Sequence, residues 1–356
     1  MKRIYNMPTI LKIDKERRGI PFFYRHNNPK NAIEDSMGKL RQKFNDHLFT
    51  LLAYLCALSL PFILVFAALE LLKNCLPSAA QFGIYFMFNR DWNPVAGRFG
   101  ALPFLYGTAM SSGISLVLAS FLGLGTALFL TEFSPQWIQK PLIMLLQIMS
   151  AVPSVVWGLW AMFELIPWLQ KYIVPFLKQN LGFLPFFQGD FYGVSMFSGC
   201  LIITIMILPI MISIAIEMIR SVPSLYKEAV FALGSTPWES VKIGILPFIK
   251  KGLFGAAILG LGRAIGEAMA VTMVIGNKPE ISLSLLSPAY TLSSVLANEF
   301  AESTSKLHVS ALYEIALLLG GITIVVNILA QILIHGLEPL DFIKFFGKER
   351  TKENLT

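Results

Sequence analysis

Six stretches of the chain stay apolar over roughly the 20 residues that a helix needs to cross a bilayer core: about 48–72, 103–130, 141–165, 194–218, 252–276 and 310–336. This pattern predicts an all-α, polytopic membrane protein whose six transmembrane helices form one domain over 48–340. Between the third and fourth runs lies PWLQKYIVPFLKQNLGFLPFFQGD, whose apolar pieces are short and broken by proline. Segment 166–193 is therefore expected to lie at the interface or to re-enter the membrane. A seventh span there would reverse the C-terminal half of the chain.

Composition agrees with this reading. Of 356 residues, 55% are hydrophobic and 14% charged, with a mean hydropathy of +0.62, outside the balance of a soluble domain. With the N-terminus placed in the cytoplasm, the intracellular segments carry 21 Lys or Arg and the opposite face 7, and Arg263 alone is left within the bilayer. Positive residues collect on the inner side of membrane proteins, so both termini are predicted to be cytoplasmic. The net charge of +7 is then explained by segments flanking the spans, and no nucleic-acid partner is implied. Residues 1–47 hold eleven Lys or Arg and no apolar core of a signal peptide, so they read as a basic cytoplasmic tail, with a second tail at 341–356. Nothing in 1–47 argues for a folded unit. Cys56, Cys75 and Cys200 are too widely spaced for a disulfide framework or a thiolate metal site and read as packing residues.

Between the fourth and fifth runs lies SVPSLYKEAVFALGSTPWESVKIGILPFIKKGL, Ser221 to Leu253. Pro223-Ser224 opens a helical pattern through Leu225, Ala229, Phe231, Ala232 and Leu233, and Gly234 breaks it. Ser235 or Thr236 then caps a second helix with Pro237 in its first turn. The expectation is a knob of two short helices on the cytosolic face. Glu228-Ala229, Gly234 and Leu246-Pro247 resemble the EAA loop of ABC-importer permease subunits, with Val230 where that pattern carries Ala and Gly244 where it carries an aliphatic residue. The resemblance implies that Glu228, Ala229, Gly234 and Pro247 belong to a coupling loop, 221–250, that docks on an ATPase. An ordinary amphipathic loop is the alternative. No Gly-x4-Gly-Lys-Ser/Thr run occurs, so the chain is expected to bind no cofactor, ATP and Mg being held by a partner ATPase. HExxH and GxSxG are absent too, and four scattered histidines offer no catalytic constellation, so no enzyme activity is expected.

The fifth run contains two full charges, in GLGRAIGEAMAVTMVIGN. Arg263 lies twelve residues beyond Lys251 and fourteen before Asn277, near the bilayer midplane at about 1.5 Å per residue. Glu267 follows one turn later, on the same face of a continuous helix. A lone charge facing lipid at that depth costs at least about 2.5–3.5 kcal/mol, so the pair must face protein or a wet cavity. Gly255, Ala256, Gly260, Gly262 and Gly266 admit a close neighbour or a ligand. Two readings stand. Arg263 and Glu267 form an ion pair that fixes packing, or the guanidinium binds an oxyanion in a pathway through its planar fork of donors. In the second, Glu267 orients the arginine and accepts a hydrogen bond from a protonated phosphate, which sulfate cannot donate.

GRAIGEAMAVTMVIGN is similar to the fifth-span signature of phosphate ABC-importer permeases, of the subunit type reading Gly-Arg-Ala-x-Gly-Glu. AVPSVVWGLWA, Ala151 to Ala161, and DWNPVAGRFGALPFLYGT, Asp91 to Thr108, resemble segments of the same family. The resemblance implies the type I ABC-importer permease fold, a bacterial inner-membrane location, and partnership with a second homologous permease, an ATPase dimer and a periplasmic or extracellular phosphate-binding protein. Sulfate or molybdate permeases share the Arg and Glu, so another oxyanion remains the alternative substrate. An ion-driven secondary transporter gives no reason for the KEAVFALGSTPWES knob.

Overall fold

The computed structural model describes the backbone of residues 29–335 and the side chains of 47–333. The C-terminal tail and residues 1–28 of the predicted basic tail lie outside the described residues. The described residues divide into two units between Phe66 and Ala67. In the first, helix α1 (Pro29–Phe82) begins well inside the predicted tail, and its side chains from 47 to 66 are exposed and almost all apolar. Cys56, on this stretch, is exposed and free rather than packed, whereas Cys75 and Cys200 are buried and free.

In the second unit, α2 (Leu102–Phe133), α5 (Met196–Arg220) and α10 (Lys306–His335) match the second, fourth and sixth predicted spans, while α7 (Pro237–Gly266) starts earlier than the fifth and covers only its first part. No strand occurs among the described residues; two isolated bridges, Asn93 with Arg98 and Gly276 with Ala289, are the extended pairings. α5 is the central post. Its buried Ile202, Ile203, Met206, Ile207 and Met211 pack on α2 and α7, and Ser115 of α2 donates to the Cys200 carbonyl at 2.8 Å. A hydroxyl satisfied this way adds a fixed register to an interface whose apolar contacts are non-directional.

The third predicted span differs. In place of one helix over 141–165, α3 (Gln136–Ala151) and α4 (Ser154–Leu181) meet at 100°. Pro153 has no N–H and disfavours the helical conformation for the residue before it, and Val152 is extended (ψ 128°). α4 absorbs the first half of the predicted interfacial segment and includes π-helical turns at Ala161–Leu165 and Leu169–Ile173. Counted as one broken span, the pair brings the number of candidate spans to six.

At the end of the bundle opposite Arg220, the DWNPVAGRFGALP loop is tied down. Trp92 Nε1 donates to Glu299 Oε2 at 2.9 Å, and His308 Nε2 lies 3.0 Å from the same oxygen. Phe99 stacks on the His308 ring at 5.5 Å. One carboxylate thus joins this loop, the end of α9 (Leu292–Glu299) and the start of α10.

Candidate functional site

α5 and α7 run antiparallel, because Gly252 faces Met218 while Gly260 faces Met211. Met211 lies nine residues from the Arg220 end of α5 and fifteen from the Met196 end. Arg263 is one further turn toward the Met196 end, so it sits about 18 Å from either end at about 1.5 Å per residue. Arg263 thus stands level with the middle of α5.

The geometry around it does not follow a continuous helix. α7 stops at Gly266, and the chain leaves Glu267 in an extended direction (ψ 117°). The 252–276 run is therefore a long helix, a break, and a short helix α8 (Met269–Val274). Glu267 Oε1 accepts from the Ala270 N–H at 3.3 Å, and its carbonyl accepts from Ser293 Oγ at 2.7 Å. The carboxylate's local target is thus the first free N–H groups of α8, which any helix start leaves unpaired. No hydrogen bond or ion pair joins it to Arg263, and the guanidinium has no partner among the described residues.

The small residues of α7 fall into two sets. Ala256 and Gly260 are buried against the bundle, Gly260 with Leu116 and Met211 beside it. Gly255, Gly262 and Gly266 have nothing within 4 Å of where a Cβ would stand. Arg263 is exposed on this open, glycine-lined face. The end of the motif has a structural cause as well: Gly276 (φ 97°) and Asn277 (φ 50°) form a left-handed turn. Asn277 Nδ2 closes it by donating to the Thr272 carbonyl at 2.9 Å, and a side chain at Gly276 would press on Pro288.

The 221–250 segment contains helix α6 (Ser224–Ala232) and then Gly234 at φ 83°. Thr236 caps the next helix reciprocally with Glu239, the Glu239 carboxylate accepting from the Thr236 N–H at 2.7 Å. That second helix is not short, as the sequence suggests; it is α7 itself, running from Pro237 through Arg263. Pro247 is accommodated because a π-helical turn, Ser240–Ile245, precedes it. Glu228, Ala229, Gly234 and Pro247 are exposed. So are Leu225, Tyr226, Phe231, Leu233 and Trp238, with Leu233 at 89%. Large apolar side chains gathered in one exposed patch are a feature of surfaces that contact protein or membrane.

The sequence pattern of the family described as "Binding-protein-dependent transport system inner membrane component" matches residues 119–340. A Haemophilus influenzae protein named "Phosphate transport system permease protein PstC" is 38% identical over 304 residues, 83% of this chain and 96% of its own. The chain belongs to the binding-protein-dependent transport system inner-membrane component family. Other members include a Xylella fastidiosa protein of the same name, 36% identical over 86% of this chain and 95% of its own. Another, from Methanocaldococcus jannaschii and named "Probable phosphate transport system permease protein PstC", is 32% identical over 72% and 83%. A chain of an inward-facing MetNI methionine ABC transporter structure superposes with a TM-score of 0.48 at 15% identity, over 65% of this chain and 94% of that one. The family match takes in both the exposed knob and the mid-depth arginine. As a family of inner-membrane components it accounts for the apolar outer surfaces of α1 and α10, which are lipid-facing by composition.

Proposed function

We propose that this chain is a membrane-spanning permease subunit of an ATP-driven phosphate importer, lining the pathway together with a second homologous permease. The observation that carries the reading is that one helix, α7, joins an exposed apolar knob at one end to an unpaired mid-depth arginine on an open face. The relatives' names supply the substrate class, phosphate. Arg263 offers the entering anion two parallel donors, which an ammonium would not. The Glu267 oxygen not engaged by Ala270 accepts the phosphate proton. Partner ATPase subunits, holding ATP and Mg, dock on Glu228 to Pro247, and a phosphate-binding protein delivers substrate to the opposite face. The chain itself makes and breaks no covalent bond. ATP-driven uptake by the reconstituted complex should be competed by phosphate and not by equal sulfate or molybdate; equal competition by all three would replace phosphate with a broader oxyanion.

The 21 to 7 charge split sets the orientation in this proposal, with both termini cytoplasmic. In a chain with its own cysteines replaced, an impermeant thiol reagent added outside should label Val95→Cys, Phe183→Cys and Leu283→Cys, all exposed, and spare Leu233→Cys. Labelling of Leu233→Cys from outside would refute the topology.

Gly234 provides a separate test of the dock. Its φ of 83° suits glycine, and nothing crowds the site, so a Gly234→Val change strains only the backbone, at about 1–3 kcal/mol. Insertion should survive while ATP hydrolysis uncouples from uptake; wild-type uptake by this variant would count against a coupling turn here.

A further inference from the structure

We propose that Lys227 and Glu132 form a positioning pair that carries movement of the docking helix α6 to the inner end of α2; the proposal rests on the reading of α6 as part of the ATPase dock. Lys227 Nζ lies 2.6 Å from Glu132 Oε1, and the two side chains are 26% and 19% exposed. The partners are 95 residues apart in sequence. The pair is the polar link between α6 and α2 among the described residues.

The other attachments of α6 lead elsewhere. Val230 rests on Gly244, where a Cβ would stand only 3.3 Å from its Cγ2, and the Tyr226 and Phe248 rings lie 5.6 Å apart. Both contacts join α6 to α7, the helix that bears Arg263. Without Lys227, α6 would keep these apolar contacts with α7 and lose its direct polar hold on α2. With it, α2 and α7 are both engaged from one short helix. Glu132 and Gly244 both lie in π-helical turns, Phe129–Phe133 in α2 and Ser240–Ile245 in α7, a rare geometry that is frequent at functional sites. Leu128, Leu130, Ile219, Val222, Val241 and Ile245 form a buried apolar plug at this end of the bundle. Packed cores of this kind move as bodies rather than deform. Partial burial weakens water screening, so a short ion pair here transmits both push and pull.

The test uses the full complex with its ATPase and binding protein, reconstituted in vesicles, and reads phosphate imported per ATP hydrolysed. Lys227→Glu and Glu132→Lys are each expected to lower that ratio roughly tenfold with complex recovered in normal amount, and the charge swap, both changes together, to restore it to within about threefold of wild type. A purely structural role would appear instead as loss of recovered complex. A swap as uncoupled as the single changes, or single changes that couple normally, overturns the proposal. Leu233→Cys in the otherwise unchanged complex should crosslink to the ATPase; absence of that crosslink overturns the docking reading itself, and the positioning pair with it.

Discussion

Replacing Arg263 with glutamine is expected to abolish ATP-dependent phosphate uptake while the complex still assembles in near wild-type amount. Assembly should survive because the guanidinium makes no ion pair or hydrogen bond within the described chain, so no buried partner is orphaned by its loss. Uptake should fail because the proposed pathway loses its positive charge at mid-depth, where an anion has no water to compensate it. Arg263→Lys keeps the charge and loses the bidentate fork, and should lower uptake about ten- to a hundredfold, as hydrogen bonds to charged groups contribute about 1.5–3 kcal/mol. The packing alternative makes the opposite forecast. If Arg263 and Glu267 served only to fix each other, the single change would cost assembly, and Arg263→Gln with Glu267→Gln would restore both assembly and uptake. The measurement is uptake in a strain lacking other phosphate importers, beside the quantity of complex. A double variant that assembles and imports at the wild-type rate would move the substrate site elsewhere.

A second large effect is expected where no charge is involved. A Gly107→Ala change should sharply lower the amount of folded protein and its thermal unfolding temperature in detergent. The added Cβ would collide with the Tyr290 carbonyl oxygen and stand 2.9 Å from its carbon, and these are backbone atoms that cannot rotate away. Beside them, Thr108 Oγ1 accepts the Leu292 N–H at 2.9 Å, and Thr291 caps α9. Separating α2 from this segment would strand the buried Leu292 N–H, a penalty of about 1–3 kcal/mol on top of about 1–3 kcal/mol of overpacking. Gly255→Ala is the control: nothing lies within 4 Å of that site, and a small gain in helix propensity is all that follows for the isolated chain. Equal behaviour of the two variants would mean that the α2 contact with 290–292 is softer than described.

The spans were readable because twenty consecutive apolar residues are an unambiguous demand of the bilayer. Hydropathy sums are blind to backbone breaks, and that is where the sequence reading went astray. Pro153 stood inside the apolar run 141–165, and its local effect on Val152 carried the information that the total concealed. The stop at Glu267 has only Gly266 before it as a local cue, one glycine among several in α7; its contacts are with Ala270 and Ser293, one of them 26 residues away. Arg263 stands out because a charge in an apolar run is conspicuous on its own, whereas nothing local shows that Glu267 turns to the Ala270 N–H. The inward and outward glycines of α7 were likewise indistinguishable until Met211 and Leu116 showed which face packs. The Lys227 contact has no local signal at all, since its partner Glu132 lies 95 residues away.

The break after Gly266 also bears on how an anion leaves. It puts Arg263 in the last turn of a 21-residue α-helical stretch, where the uncompensated carbonyls of the helix end carry about half a negative charge and favour a nearby cation by about 0.3–2 kcal/mol. The guanidinium is therefore never electrostatically bare, and in the proposed pathway an arriving phosphate would compete with the helix terminus for it. That standing competitor flattens the well at mid-depth. A carrier needs such shallowness, because an oxyanion gripped by an arginine with no other recourse would block the route it is meant to travel.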